Sequence, residues 1–390
     1  MKRLSWSFRS FVMVVALFTV STVATAGTPY LVTNDDSAFP FYTGVSFYSV
    51  GNGLPVYQQQ VQTGTFGIGG GYFGMNRIAA LNNSTQQCIY ASEAGTGEIA
   101  GVSVGTLTVG GSASGSSTDT GTSNGIGLVM NSTYLYASFS DSSTIGTFAV
   151  QPGCSLAFVG DTSVSGVQAG IINGMAIHGA MLIATYTDGS IESFDISGGT
   201  PVSNNDKQTS TATVASQGAT YANSIDITSD GHFAIFGDTS TAASVEISDI
   251  SSGKLTKTKV YQTSLAISSS NIMLSPDETV LYVVNTQGAT VSAVFFDKST
   301  GQLSGAGCKS PRLIGQSQSW SYLAGLALIS ETGNGGGLYV AEFGGTSSIA
   351  MVALTTNGNK CSLQEVSGSP VADNNSHGLL SIGNFPPRSF

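Results

Sequence analysis

Charge is what this 390-residue sequence has least of: Asp, Glu, Lys and Arg together make up 9% of it, against roughly a quarter in ordinary soluble domains. Only 13 residues are basic, against 23 acidic. Scattered cations of this number do not suit nucleic acid or an anionic membrane surface, which are held mainly by clustered Lys and Arg. Histidine occurs three times and tryptophan twice. Cys88, Cys154, Cys308 and Cys361 form no CxxC pair, which argues against a structural zinc site. No HExxH motif, P-loop or helix-opening GxGxxG appears, so the sequence calls for no cofactor and no metal. The glycine spacing of GIGGGYFG, from Gly67, imitates a nucleotide loop but reads as a connector between two strand groups. Past the first 26 residues no apolar run approaches the roughly 20 residues a membrane helix needs.

Those first 26 residues read as an export signal. Lys2, Arg3 and Arg9 precede an apolar run from Phe11 to Val20, and Ala24-Thr25-Ala26 offers a small-residue cleavage site. Residues 27–390 then form the expected domain, with ten basic residues against 23 acidic ones, a formal charge of −13. An exported, periplasmic or extracellular monomer is expected. Its solubility rests on Ser, Thr, Asn and 50 glycines scattered among turns, a composition of many short strands. In an exported chain disulfides persist. Two bridges among four cysteines allow three pairings, and four buried thiols are the alternative.

A segment with a small or polar opening residue and alternating apolar positions returns seven times, at Asn76, Asn124, Asn173, Asn223, Ser270, Ala324 and His377. The starts lie 48, 49, 50, 47, 54 and 53 residues apart. A period of this length, on the order of 40 to 50 residues, marks one four-stranded propeller blade. The sixth copy shows the unit most clearly. A strand A from Ser270 to Ser275 turns at SPDE into strand B, VLYVVN (280–285). Strand C, TVSAVFF, begins at Thr290, and DKSTG leads to strand D at QLSG. Gly53, Gly153, Gly199, Gly253, Gly301 and Gly358 close the C to D turns, where a left-handed residue is required.

The first copy has no strand A. YLVTN reads as a B, TGVSFYSV as a C and LPVYQQQV as a D, and the missing A is supplied by residues 377–383. The expectation is therefore an all-β, seven-bladed propeller of four-stranded antiparallel blades, closed by its own C-terminal strand. Two stretches look looser: Gly110 to Gly125 reads as a linker, and VSNNDKQTSTATVASQG, from Val202, as an excursion before the fifth blade.

At LSPDETVLYVVNTQGATVSAVFFDKSTGQL the sequence resembles the seven-bladed lactonase-like family, which includes bacterial 6-phosphogluconolactonase propellers, and the related YVTN-repeat surface proteins. YVVN stands where that family has YVTN, beside an SPD turn and a TG-L hairpin. The resemblance implies the fold, and a site at the centre of one propeller face lined by basic and acidic side chains. It carries no unambiguous catalytic motif onto this chain.

The B to C turns and D to A connections meet on one face around the central channel. The B to C positions read Asn34 with Asp35 and Asp36, then Glu93, Asp141, Asp188, Asp238, Asn285 and Glu342. Such a ring of oxygen groups suits hydrogen bonding to a sugar or lactone. The plainer alternative is that Asp and Asn populate turns because they bond the local backbone. Arg77 and His377 stand out at strand A starts, and Lys309, Arg312, Trp320 and Tyr322 before the seventh blade. In an enzyme, His377 would act as general base, Arg77 or Arg312 would hold a carboxylate or oxyanion, and Glu93 or Glu342 would orient the imidazole. The alternative for these is a surface histidine and solvated charges. His178 and His232 fall at A to B turns on the opposite face. Three readings of function follow: a binder of a carbohydrate-like or lactone ligand, or of an extracellular protein or polymer; a hydrolase of unphosphorylated lactones or sugar acids; and a purely structural repeat protein.

Overall fold

The computed structural model describes residues 30–35, 43–50, 53–64, 66–67, 76–116, 126–164, 172–209, 222–238, 244–256, 259–262, 269–285, 288–313, 322–329, 337–343, 347–357, 360–373 and 379–385. The leader, Asp36, Trp320, Gly358 and His377 lie outside them. The strands of the described residues form seven antiparallel sheets. Blade 6 runs A (Ser269–Leu274), B (Val280–Asn285), C (Thr290–Asp297) and D (Gln302–Lys309), each strand paired to the next. Strand B is buried at all six positions, because neighbouring blades cover both its faces. That is why VLYVVN lacks the polar alternation of a half-exposed strand.

The innermost strands adjoin one another in a closed circle: Ile78–Asn82, Ile126–Met130, Ile172–His178, Ala222–Ile227, Ser269–Leu274, Tyr322–Ile329 and Leu379–Phe385, the last touching the first. Closure is as the repeat predicts. The C-terminal strand pairs antiparallel with strand B of blade 1 (Tyr30–Asp35), setting Tyr30 opposite Phe385 and Thr33 opposite Ile382. Its described part runs Leu379–Phe385, and residues 377 and 378 of the expected span lie outside the described residues.

The apolar core lies between blades. Seven clusters of buried side chains occupy the seven seams, for instance Val32, Phe47, Ile78 and Ile89 between blades 1 and 2, and Ile235, Val245, Ile272 and Leu281 between blades 5 and 6. The C to D turns carry the expected left-handed glycines, with φ of 96° at Gly53, 90° at Gly199 and 64° at Gly301. Three of these turns are also clasped from the preceding blade. Tyr136 donates its hydroxyl to the Gly199 carbonyl at 2.7 Å, Tyr261 to that of Gly301 at 3.1 Å, and Tyr339 to that of Gly53.

All four cysteines are bridged. Cys88–Cys154 ties blade 2 to blade 3, and Cys308–Cys361 joins the outer strands of blades 6 and 7. Both looser stretches are partly ordered sheet. Gly110 belongs to strand D of blade 2 (Thr108–Ser114). Val202–Ser203 and Gln208–Thr209 each pair with strand C of blade 4 as a split outer strand. Outer strands are exposed on one side and need little apolar sequence, so their signal is weak. Among the described residues no helix is long and apolar enough to cross a membrane.

Candidate functional site

The face bearing the B to C turns is shaped by a recurring irregularity in strand A. In blade 4 Ile172 pairs with Tyr186 and Gly174 with Thr185, leaving Asn173 as an extra residue. The same shift isolates Ser270 in blade 6, Ala324 in blade 7 and Leu380 in blade 1, and one occurs between Ala222 and Ile225 in blade 5. A β-bulge at a rim re-aims the side chains around it, and these bulges coincide with the small or polar residue that opens several sequence repeats. The register across them aligns Asp35, Tyr186, Asp238, Asn285 and Glu342 as the strand B residue paired just outside the bulge, which ends the ladder in every case but blade 7, where Phe343 still pairs with Tyr322. Asp35, and not Asn34, is thus the true counterpart in blade 1, whereas Asp141 and Asp188 lie beyond their strands, exposed in the turns.

Three of the carboxylates read from the sequence, Asp35, Glu93 and Glu342, are fully buried. Glu93, ending strand B of blade 2, accepts a hydrogen bond from Thr43, which precedes strand C of blade 1. Beside it the Asn34 amide donates to the Ser92 carbonyl at 2.9 Å, and Ser92 N donates to the Arg77 carbonyl at 3.1 Å. Arg77 itself is fully buried, and burial lowers its guanidinium pKa to about 9. Glu342 sits in blade 7. Its Oε2 accepts the hydroxyl of Ser348, while Oε1 is buried without a hydrogen-bond partner. Burial, helped by the charge of Glu365 and opposed by Ser348, raises the Glu342 pKa to about 7. A carboxyl group in that state donates or accepts a proton near neutrality.

The remaining candidates stay in their own loops. Asp188 accepts Ser190 N at 2.9 Å and Ser190 Oγ at 2.5 Å, the local capping expected of a turn aspartate. Asn285 is buried and donates to Thr290 and Ser292 within its blade. Asp141 is exposed and receives Ser140 Oγ at 3.3 Å, and Arg312 is exposed. The Asp238 side chain, Trp320 and His377 lie outside the described residues. The structure therefore gathers Asn34, Thr43, Arg77, Ser92 and Glu93 at the seam of blades 1 and 2, and places Glu342 on the other flank of blade 1.

Sequence reading passed over Asp373, which follows the last short outer strand of blade 7 and accepts the hydroxyl of Tyr48 in blade 1. Nothing local marks it, since only ring closure brings it to blade 1. Among the described residues no group of three or more His, Cys, Asp or Glu is arranged to hold a metal ion. A pocket of about 400 Å³ opens on the opposite face between blades 4 and 5, lined by His178, Met181, Asp195, Asn204 and Ile250. Its His178 ring is bound through Nε2 to the Ser229 carbonyl at 3.0 Å.

A family model described as lactonase, 7-bladed beta-propeller matches residues 81–370. No curated protein sequence matches the chain. Among solved structures, a provisionally named 6-phosphogluconolactonase of Bacteroides fragilis superposes with a TM-score of 0.66 at 14% identity, over 93% of this chain and 99% of that one. A functionally unknown protein of Desulfotomaculum acetoxidans gives a TM-score of 0.63 at 13% identity, over 91% and 98%. The periplasmic gluconolactonase PpgL of Pseudomonas aeruginosa gives 0.51 at 18% identity, over 72% and 81%. At these identities the superpositions speak for the fold alone. The family match spans most of the chain, and with the closed seven-bladed ring it makes this protein a member of the lactonase family of seven-bladed β-propellers.

Proposed function

We propose that this chain is an exported ligand-binding propeller that takes an unphosphorylated lactone or sugar-like molecule on the face around its central channel. The carrying observation is Glu342, a fully buried carboxyl on that face with a free acceptor at Oε1 and a pKa near 7. A half-protonated carboxyl offers both a donor and an acceptor to a hydroxyl-rich ligand. Phosphorylated ligands fit poorly, because only ten basic residues are spread over 27–390. Membership of the lactonase family and the likeness to a periplasmic gluconolactonase support both the ligand class and export.

The same carboxyl supports a second reading, lactone hydrolysis, since a group titrating near neutrality is suited to general acid or base work. Titrating the purified protein with a panel of aldonolactones by calorimetry, while following turnover, separates the two. Binding without turnover that weakens in Glu342→Gln supports the first reading. Turnover lost in Glu342→Gln, His377→Ala or Arg77→Ala supports the second. Neither binding nor turnover on any lactone sinks both.

A further inference from the structure

The pocket of about 400 Å³ between blades 4 and 5, on the face opposite Glu342, has no part in the lactone reading. Its size falls within the roughly 300 to 1,000 Å³ of small-molecule sites. Blade 4 lines it with His178, Met181, Asp195 and Asn204, and blade 5 with Gly231 and Ile250. Met181 and Ile250, 9% and 3% exposed, belong to the apolar cluster of that seam and give the pocket a hydrocarbon floor.

Many of the hydrogens around that floor are already committed. His178 Nε2 lies 3.0 Å from the Ser229 carbonyl and so carries the ring hydrogen. Ile196 N donates to the Ala180 carbonyl and Gly231 N to that of Thr228, both at 2.8 Å, and Gly253 N to that of Ile250 at 2.9 Å. Ser251 gives its N–H and its hydroxyl to Asp249, and the Asn204 amide gives a hydrogen to Ser193 Oγ at 2.8 Å. Lone pairs are what remain. With its hydrogen on Nε2, the His178 ring keeps Nδ1 as an acceptor. The ring stays there because Gly231 has no side chain, since a Cβ would lie 2.5 Å from Nδ1. Asp195 is exposed, and hydrogen bonds from the backbone and then the hydroxyl of Ser197 hold its carboxyl below the usual range, so it is ionised at neutral pH. Its oxygens offer about four lone-pair sites, and among the described residues it takes part in no ion pair. At the rim the Lys254 ammonium rests on the Asn204 carbonyl at 3.1 Å, so this edge already seats one cation of the chain itself.

A lining rich in acceptors, with an unpaired carboxylate beside an apolar floor, selects a ligand that brings hydrogens, positive charge and a short hydrocarbon stem. We propose that this pocket binds a primary ammonium group on a short aliphatic chain, as carried by a free alkylamine or a lysine side chain. Asp195 receives the ammonium, His178 Nδ1 adds a second acceptor, and Met181 and Ile250 carry the stem. An anion would meet the Asp195 charge with few spare hydrogens to receive it. A neutral hydroxyl would make a weaker bond to the same carboxylate. The site stands independently of any ligand on the Glu342 face.

The test uses the full chain with its methionine methyl groups carbon-labelled, so that Met181 reports on the pocket floor by NMR. Near pH 8 an ordinary imidazole is neutral and an alkylamine is charged. Titration with n-pentylammonium should move the Met181 methyl signal saturably, and n-pentanol, of the same shape without the charge, should move it far less at equal concentration. Asp195→Asn should weaken the ammonium by about two- to fivefold, the range of an exposed ion pair. The site is overturned if amine and alcohol act alike, if the amine gives no saturable shift at Met181, or if Asp195→Asn binds it as wild type does. An end-blocked peptide with one lysine among glycines separates the two sources of the group. Tighter binding than the free amine marks a polypeptide partner and weaker binding a small amine, and both results uphold the ammonium site. Should Asp195→Asn not fold, the comparison of amine and alcohol on wild type decides alone.

Discussion

Ser348 opens strand C of blade 7 and hands its hydroxyl hydrogen to Glu342 at the end of strand B, so that one oxygen of a fully buried carboxyl is satisfied and the other is not. This half-satisfied state leaves burial in control of the group, whose pKa stands at about 7. In the unfolded chain a glutamate titrates near 4.3. The folded protein therefore keeps a proton that the unfolded chain releases, and stability present below about pH 4 is lost as pH rises through about 7, by on the order of 3 kcal/mol. Glu342→Gln carries no titrating proton. Urea midpoints should show the variant gaining on wild type between about pH 4 and pH 8, and an unchanged difference between the two pH values would refute the protonated state. Ser348→Ala removes the one interaction that lowers this pKa, so the alkaline loss of stability should move to higher pH.

Architecture was the legible part of the sequence because its signals are local and repeated. Gly53, Gly199 and Gly301 announce left-handed turns, and VLYVVN announces a strand buried on both sides. The site was legible only as a set of turn positions. Whether Asp188 caps its own turn or Glu342 lies buried beside Ser348 depends on strand register, and a bulge of one residue, such as Asn173 or Ala324, changes it. The Tyr48–Asp373 hydrogen bond was invisible for a different reason. Its partners are more than 300 positions apart along the chain, and meet only when the last strand docks on the first blade. Cysteine spacing likewise held no choice among pairings.

The two disulfides differ in access. Cys88 and Cys154 are 0% and 2% exposed, whereas Cys308 and Cys361 are half-buried on outer strands. Mild reductant should open Cys308–Cys361 first, which mass spectrometry after alkylation will show. The bridged cysteines stand 66 and 53 positions apart, and loss of either bridge should lower stability by about 2 to 4 kcal/mol. First alkylation at Cys88 would contradict this ordering.

Blades 2 and 3 approach too closely for side chains at two glycines. A Cβ at Gly101 would lie 1.8 Å from the Cys154 carbonyl oxygen, and one at Gly110 would lie 1.9 Å from that of Gly153, whereas nothing stands within 4 Å of one at Gly105. Gly101→Ala and Gly110→Ala should each cost roughly 3 kcal/mol through displaced backbone. Gly105→Ala should stay within about 0.5 kcal/mol of wild type. Thermal unfolding of the three variants reads this directly, and equal melting points would mean that the seam yields at no cost.

The tyrosine clasps give a graded test of how blades are joined. Tyr136 is fully buried where its hydroxyl meets the Gly199 carbonyl, and burial pushes its pKa up to about 12, so it remains a donor at any ordinary pH. Tyr261 makes the equivalent bond to Gly301 from a half-buried position. Removing the first hydroxyl strands a carbonyl beside a fully buried ring, whereas solvent already reaches the half-buried Tyr261 and can take the place of its hydroxyl. Tyr136→Phe should accordingly cost about 1.5 kcal/mol and Tyr261→Phe about 0.5 kcal/mol. Equilibrium unfolding in urea measures both. Were the order reversed, side-chain packing and not the hydroxyl would be what joins one blade to the next.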